Sequence, residues 1–389
     1  MAASHELGIK EVHSFHFATF ENERSHQYYT EKMGWRPVAI SSDATENQTG
    51  QSSTVFQNGD IRWVVSRPLN EECRAARFLK RHPAGVMSIS FEVEDIQKTW
   101  DFLNTRGGTP VHSIITTTND EGGHFKHFSI TTPIGDLTFR FIEKNNFEAF
   151  APGFEMLPKL EVTNNDSYKY VKIDHITCNA ITMAPVQLWF EHVLGMEQCW
   201  GIEFHTDEVM KNAVSGTGLK SVVMWDPASG IKFPINEPME PFFKDGQINQ
   251  FVEDNYGGGV QHIALEVDNI LNAADALTGR GVEFLDTPEI YYDPVPARLK
   301  DVGVDVNNIK HKLHDLKKHG LLIDGSPTDQ YMLQVFFKDA AKYHDDQQAG
   351  PFFFEIIERQ GDEGFGGGNF KALFEAIELA QNQNVEASA

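Results

Sequence analysis

GVMSISFEVEDI at residues 85–96 recurs as GVQHIALEVDNI at residues 259–270, 174 positions further along the chain. The match continues, with Leu103, Arg106 and Gly107 of the first copy standing where the second has Leu277, Arg280 and Gly281. Alternating apolar residues followed by an amphipathic stretch predict a strand and then a helix in each copy. A repeat of this length indicates that the chain is built from duplicated βα units.

Two further matches flank this one in the same order in both halves. Residues 12–36 match residues 173–197, again as a strand and a helix that ends at a glycine, and FRFIE at 139–143 matches FEIIE at 354–358. The whole chain therefore looks like a duplication of a unit that contains two modules. A turn-rich stretch at residues 152–168 predicts the boundary, so we expect domains at 1–155 and 156–389.

The two copies differ in residue type at three aligned positions that bear on chemistry. Each pair sets a non-ligand of the first half against a metal-ligating residue of the second: Ser14 against His175, Ser88 against His262, and Arg140 against Glu355. We therefore interpret the N-terminal half as a non-catalytic partner and the C-terminal half as the catalytic, metal-binding one.

Two neutral imidazoles and one carboxylate on one face form the ligand set typical of Fe(II) oxygenases. Glu355 lies in the strand-like run FFFEIIE, where a buried carboxylate must be paired or bind a cation. An ion pair with an arginine is the alternative for Glu355, and ordinary core packing is the alternative for each histidine. Zinc accepts the same ligands, so the residues leave the metal open between Fe(II) and zinc.

Composition excludes several classes of partner. The formal net charge is −23, which argues against binding to nucleic acid or to an anionic membrane. No apolar run is long enough for a membrane helix, and three scattered cysteines predict neither a disulfide framework nor a zinc site. We expect a cytoplasmic protein.

The last part of the chain carries the glycine-rich stretch GFGGGNF at residues 364–370. It lacks the spacing of a phosphate-binding loop, and the apolar residues that follow at helical spacing predict a helix. This helix is expected to be a lid over the metal pocket or ordinary core packing. Earlier, His311, His314 and His319 lie in a lysine-rich stretch, for which we predict a solvated amphipathic helix.

Several motifs together resemble the 4-hydroxyphenylpyruvate dioxygenase family. They are DH at 174–175, FPINEP at 233–238, GGGVQHIAL at 257–265, LQVF at 333–336, FFFEIIER at 352–359 and GFGGGNFKALFEAIE at 364–378. The resemblance covers most of the chain and is densest after residue 171. It implies an α+β protein with the vicinal oxygen chelate fold, in which paired βαβββ modules form two open barrels, with a C-terminal lid helix.

The resemblance also implies which residues form the site. His175, His262 and Glu355 correspond to the ligands of an Fe(II) cofactor. The polar residues around the substrate correspond to Ser221, Asn236, Gln247, Gln261 and Gln334. The apolar pocket and lid correspond to Pro234, Phe336, Phe353, Phe365, Phe370 and Phe374.

The activity implied is oxidative decarboxylation of 4-hydroxyphenylpyruvate by O2, with ring hydroxylation and side-chain migration to give homogentisate in tyrosine and phenylalanine catabolism. 4-Hydroxymandelate synthase is the near alternative, and Phe370 and Phe374 favour the ring-hydroxylating enzyme. An extradiol catechol dioxygenase and a small-molecule sequestering protein without a metal are the more distant alternatives. We expect a homo-oligomer.

Overall fold

The structure is a computed structural model that describes residues 3–158, 167–205, 218–239, 246–327 and 329–369. The predicted lid helix after residue 369 lies outside these ranges. Within them, no helix combines the length and the apolar character needed to cross a membrane.

The first half of the chain forms a nine-stranded sheet in the order β6-β7-β8-β5-β1-β4-β3-β2-β9. Its strands are β1 (Ile9–Ala18), β2 (Arg36–Ser41), β3 (Gln51–Asn58), β4 (Ile61–Pro68), β5 (Gly85–Val93), β6 (Pro110–Thr118), β7 (His124–Thr131), β8 (Thr138–Asn145) and β9 (Phe154–Met156).

The second half forms a sheet with eight strands in the described ranges, in the order β11-β12-β13-β10-β14-β17-β16-β15. They are β10 (Tyr170–Asn179), β11 (Glu197–His205), β12 (Gly218–Trp225), β13 (Lys232–Pro238), β14 (Gly259–Val267), β15 (Leu322–Ser326), β16 (Gln330–Phe336) and β17 (Phe353–Gln360).

Short helices connect these strands. They are α1 (Asn22–Gln27), α2 (Asp43–Thr49), α3 (Arg74–Leu79), α4 (Ile96–Thr105), α5 (Ala184–His192), α6 (Gln247–Asp254), α7 (Ile270–Gly279), α8 (Val295–Asp301), α9 (Leu313–Lys318) and α10 (Ala340–His344). The repeated helices α4 and α7 begin alike, since the side chains of Asp95 and Asn269 accept hydrogen bonds from backbone N–H groups of their first turns.

Each sheet is a pair of βαβββ modules joined through their first strands. In the first sheet, β1 and β5 pair antiparallel, and each pairs parallel with the last strand of its own module, β4 or β8. The second sheet repeats this with β10 and β14 as first strands and β13 and β17 as last strands. The predicted paired modules, curled as half-barrels, are confirmed.

The two halves share one hydrophobic core, and β17 contributes to it with one face. Phe354 packs against Trp63 and Trp35 of the first half, with ring centroids 5.2 and 5.7 Å apart. Glu355 follows Phe354 directly, so strand alternation turns its side chain to the opposite face, towards the inside of the second sheet. The strand that carries the predicted carboxylate ligand therefore packs against the first half with one face and lines the inside of the second sheet with the other.

The second half has an insertion that the first lacks, between α7 and β15, which contains α8 and α9. It explains why the last repeated segment is offset further than the others. The predicted solvated amphipathic helix is present as α9, where His314 is exposed, but it covers only Leu313–Lys318, and the prediction is wrong for His311, which precedes it. His311 is buried and its Nε2 atom lies 3.0 Å from a carboxylate oxygen of Glu358.

Candidate metal centre

Three adjacent strands carry the predicted ligands His175, His262 and Glu355. Ala264 on the middle strand, β14, is the register partner of both His175 on β10 and Glu355 on β17. His262 lies two residues before Ala264 and therefore on the same face of the sheet. The small side chain of Ala264 leaves open the space between the three larger ones.

The three side chains are buried and converge on one point. The Nε2 atoms of His175 and His262 lie 3.3 and 3.2 Å from the same oxygen of Glu355. One ligand atom from each residue lies within 4.8 Å of the other two. Ligand atoms at right angles around an ion with bonds of about 2.1 Å would be about 3 Å apart, so the spacing fits one metal ion.

The other ring nitrogens of the histidines are held by neighbouring side chains. The Nδ1 atom of His175 lies 2.7 Å from an oxygen of Asp174, and Arg359 donates two hydrogen bonds to that carboxylate, of 2.6 and 2.7 Å. The Nδ1 atom of His262 lies 3.1 Å from the side-chain oxygen of Gln261. A proton on Nδ1 leaves the Nε2 lone pair free for a metal, which is the usual arrangement of a histidine ligand.

The electrostatics of the three ligands are coupled. Burial lowers the pKa of His175, but the carboxylates of Glu355 and Asp174 outweigh it and raise that pKa to about 9. Burial dominates at His262 and lowers its pKa. Burial raises the pKa of Glu355, but the two imidazoles outweigh it, so that pKa is lowered and the carboxylate is held ionised. Without a metal, His175 is therefore protonated at neutral pH and pairs with the anionic Glu355, and a cation that binds between them would displace the proton from Nε2.

The ligands lie in a cavity with about 980 Å3 of space free of protein atoms, counted to its opening to solvent. All five predicted polar residues line this cavity: Ser221, Asn236, Gln247, Gln261 and Gln334. The predicted apolar residues in the described ranges do so as well: Pro234, Phe336, Phe353 and Phe365. Phe370 and Phe374 lie outside the described residues.

Polar groups in the cavity are left available. Within the described ranges, the side chains of Ser221, Gln247 and Gln334 have no hydrogen-bond partner, and Gln261 has used only its oxygen. Neither lysine nor arginine is among the described residues that line the cavity. The cavity thus offers hydrogen bonds to a ligand, but it needs a bound cation to neutralise an anionic one.

Sequence reasoning missed some of the residues that complete the site. The cavity is also lined by Thr177, Trp200, Leu219, Ile248, Leu285, Leu322, Met332 and Asn369. The sequence carried no signal for most of these, because they converge only when distant strands pair. Asp174, which lies behind His175 rather than in the cavity wall, could be anticipated, since a buried carboxylate beside a histidine requires a partner such as Arg359.

Comparison with known proteins places this architecture. The sequence model of the Glyoxalase/Bleomycin resistance protein/Dioxygenase superfamily matches residues 12–137 and 172–294, one segment in each half. A triple variant of 4-hydroxymandelate synthase from Streptomyces coelicolor has the same fold, with a TM-score of 0.76 at 22% identity, over 96% of this chain and 99% of that one.

The sequences of curated relatives identify one family within this superfamily. The chain is 34% identical to 4-hydroxyphenylpyruvate dioxygenase of Dictyostelium discoideum, over 91% of this chain and 93% of the relative. It is 34% identical to the same enzyme of Coccidioides posadasii, over 91% and 88%, and 33% identical to that of Caenorhabditis elegans, over 92% and 88%. The chain belongs to the 4-hydroxyphenylpyruvate dioxygenase family.

Proposed function

We propose that this protein is a 4-hydroxyphenylpyruvate dioxygenase that holds Fe(II) with His175, His262 and Glu355. The observation that carries the proposal is the buried ligand set at the wall of a cavity that has free amide and hydroxyl groups but no basic side chain among its described lining residues. When bound, Fe(II) would supply open coordination positions at which a 2-oxo acid and O2 react.

Charge explains why the substrate would be an acid. One carboxylate ligand leaves a divalent ion with one net positive charge, and the Asp174 carboxylate beside it is already neutralised by Arg359. A substrate carboxylate would bring the centre to neutrality. In a mostly apolar cavity without a lysine or arginine among its described lining residues, this is the charge balance that favours a 2-oxo acid.

The remaining residues are assigned to orienting the substrate and excluding water. The free amides of Gln247 and Gln334 offer donors and acceptors to a phenol and to the oxygens of a 2-oxo acid, and the side-chain NH2 group of Gln261 offers a further donor. Aromatic side chains surround the ligands, with the rings of Phe353 and Phe365 centred 5.0 and 5.4 Å from those of His262 and His175. Such packing would hold an aromatic ring by its faces and keep bulk water from the reacting atoms.

The test is the product formed from 4-hydroxyphenylpyruvate under O2 by protein loaded with Fe(II). We expect homogentisate, with one CO2 released per O2 consumed, and no turnover by protein loaded with zinc. Homogentisate and 4-hydroxymandelate are isomers, so they must be separated by chromatography against standards and by fragmentation. Hydroxymandelate as the main product would overturn the proposed reaction, and activity with zinc would overturn the role of iron.

Two expectations of the sequence analysis remain predictions. They are a cytoplasmic location and a homo-oligomer. Sedimentation of the purified protein and fractionation of the cells that make it would test them.

A further inference from the structure

The first half of the chain contains a cavity that corresponds to the metal cavity of the second. Its free space is about 1050 Å3, counted to its opening to solvent. His16 and Ser88 line it at positions aligned with Thr177 and His262, and Arg140 lines it where the second half has Glu355. The duplication has therefore kept the cavity and replaced the groups that face it.

Arg140 has no counterion in this cavity. Its Nε atom is buried without a hydrogen-bond partner, and part of the side chain is accessible from the cavity. Among the described residues its guanidinium forms neither a hydrogen bond nor an ion pair, and its one aromatic contact is with Phe125, at 5.9 Å. By contrast, Arg359 of the second half is held by two hydrogen bonds to Asp174. A buried guanidinium without an anion is unfavourable, so its presence points to a missing ligand.

A second arginine, Arg74, strengthens the positive charge of the cavity. Its guanidinium donates to the carbonyl oxygen of Met87 at 2.8 Å and to the hydroxyl of Thr138 at 3.0 Å, both neutral acceptors. It also lines the cavity, and no carboxylate of the described residues lies within ion-pair distance of it. Neither arginine therefore has a carboxylate of the described residues within ion-pair distance, although Asp136 is near enough to Arg74 to favour its charge.

The nearby acids are already engaged. Glu46 accepts hydrogen bonds from the hydroxyls of Ser41 and Ser52. Asp136 forms ion pairs with Arg81 at 2.8 Å and with His82 at 3.0 Å. The described residues that line the cavity include neither aspartate nor glutamate. A positive cavity inside a chain of net charge −23 is thus a local feature that the overall composition does not explain.

The pKa values of the lining groups agree with this geometry. Burial lowers the pKa of Arg140 to about 10, which leaves the guanidinium charged at neutral pH. Burial together with Arg140 lowers the pKa values of His16 and His127 to about 3. Both imidazoles are therefore neutral, and the buried Nδ1 atom of His127 has no hydrogen-bond partner. Neutral imidazoles and serine hydroxyls can donate hydrogen bonds to an anion without adding charge.

We propose that this cavity is a binding site for a small oxyanion, a carboxylate or a phosphate, with Arg140 as its main ligand. The planar guanidinium can donate two parallel hydrogen bonds to either group. Ser129 is the register partner of Arg140 on the neighbouring strand and lines the same cavity, so its hydroxyl is available beside the guanidinium. The site is independent of the metal centre and of the reaction proposed for it.

The experiment measures the melting temperature of the protein in low-anion buffer and on addition of phosphate, of citrate or, at matched ionic strength, of chloride. Binding at 100 times Kd should raise the melting temperature by about 3 °C. We expect this shift with phosphate or citrate but not with chloride, and whichever of the two acts identifies the chemistry of the ligand. The absence of a shift with both oxyanions in the unmodified protein would overturn the proposal.

Variants then locate the site. Arg140→Gln should abolish the shift, whereas Arg36→Gln, which removes an exposed arginine of the same half, should keep it. A shift that persists in Arg140→Gln would place the anion elsewhere and overturn the proposal.

Without added anion, Arg140→Gln should melt no lower than the unmodified protein, because it removes an uncompensated charge. A lower melting temperature would mean that Arg140 only supports the fold. If Arg140→Gln does not fold, Arg140→Lys keeps the charge and should weaken anion binding about tenfold through loss of the planar fork, with unchanged affinity as the contrary result.

Discussion

The same three-stranded row occurs in both halves of the molecule, but with different residues. In the second half it reads His175, Ala264 and Glu355, and in the first half it reads Ser14, Ser90 and Arg140 at the same register positions. The strands, their directions and their pairing are unchanged. A cation-attracting centre and a cationic cavity therefore differ by side chains alone, on a backbone arrangement that serves both.

A second carboxylate has been kept in both halves. Glu143 and Glu358 occupy the same repeat position, and each accepts a hydrogen bond of 2.8 Å from the first backbone N–H of a helix, at Ile96 or Ile270. Each is also paired with one histidine and one lysine. These glutamates anchor α4 to β8 and α7 to β17, the last strand of the second module in each half. The comparison separates residues that the fold requires from residues that give each half its chemistry.

The sharpest way to test the comparison is to remove one member of each row. His175→Ala or Glu355→Ala should lower metal affinity by more than about 100-fold and abolish turnover, because two ligands cannot hold the ion. Ser14→Ala, at the position aligned with His175, should retain metal and turnover. Metal analysis after dialysis and oxygen consumption would measure both. Full metal content in Glu355→Ala would contradict the ligand assignment.

A smaller loss of metal affinity is expected from a change of Asp174, the carboxylate that contacts the ligand His175. Asp174→Asn leaves Arg359 without its carboxylate and His175 without its acceptor, and should weaken metal binding about 10- to 100-fold. Lys144→Met is the matched control, because Lys144 takes the repeat position of Arg359 and its side chain donates its one hydrogen bond within the described ranges to the carbonyl oxygen of Ala149. Metal titration of both variants would decide. Equal affinities would show that Asp174 does not position His175.

The shared glutamates should show the smallest difference. Glu358→Gln should lower the free energy of unfolding by about 2 kcal/mol, because Glu358 and its partner His311 are buried, although its second partner Lys310 is exposed. Glu143→Gln should cost about 1 kcal/mol, because Glu143 and its partners are partly exposed. Urea unfolding of the two variants gives the comparison. A larger cost at Glu143 would show that burial does not set the difference.

The stability that Glu358 contributes depends on pH. Burial raises the pKa of Glu358, but hydrogen bonds from His311 and Lys310 outweigh it and lower that pKa to about 2. A carboxylate whose pKa is lower in the folded state stabilises the protein above its unfolded pKa of about 4.3, and this contribution is lost as the pH falls towards 2. As the pH is lowered through this range, the free energies of unfolding of the unmodified protein and of Glu358→Gln should therefore become equal, as urea unfolding at each pH would show.

Much of the fold and the ligand set could be predicted because the chain contains two copies of one unit, and each position of one copy can be compared with the aligned position of the other. Aligning 85–96 with 259–270 identified β5 and β14, and the aligned positions then singled out the three predicted ligands, which the structure brings together. Contacts between distant residues could not be predicted in this way. The burial of His311 depends on Glu358, which lies 47 residues further along the chain, and a periodic lysine-rich stretch gives no sign of it.

The face of β17 that carries Phe354 bears on how the chain can evolve. Trp63 and Trp35 of the half without metal-ligating residues pack against Phe354, whose neighbour is Glu355. A gene that lost the first half would expose these aromatic side chains and free the strand that positions the carboxylate. Selection for the metal centre therefore also acts on core residues of the other half, and the shared core keeps the two copies together as a single unit.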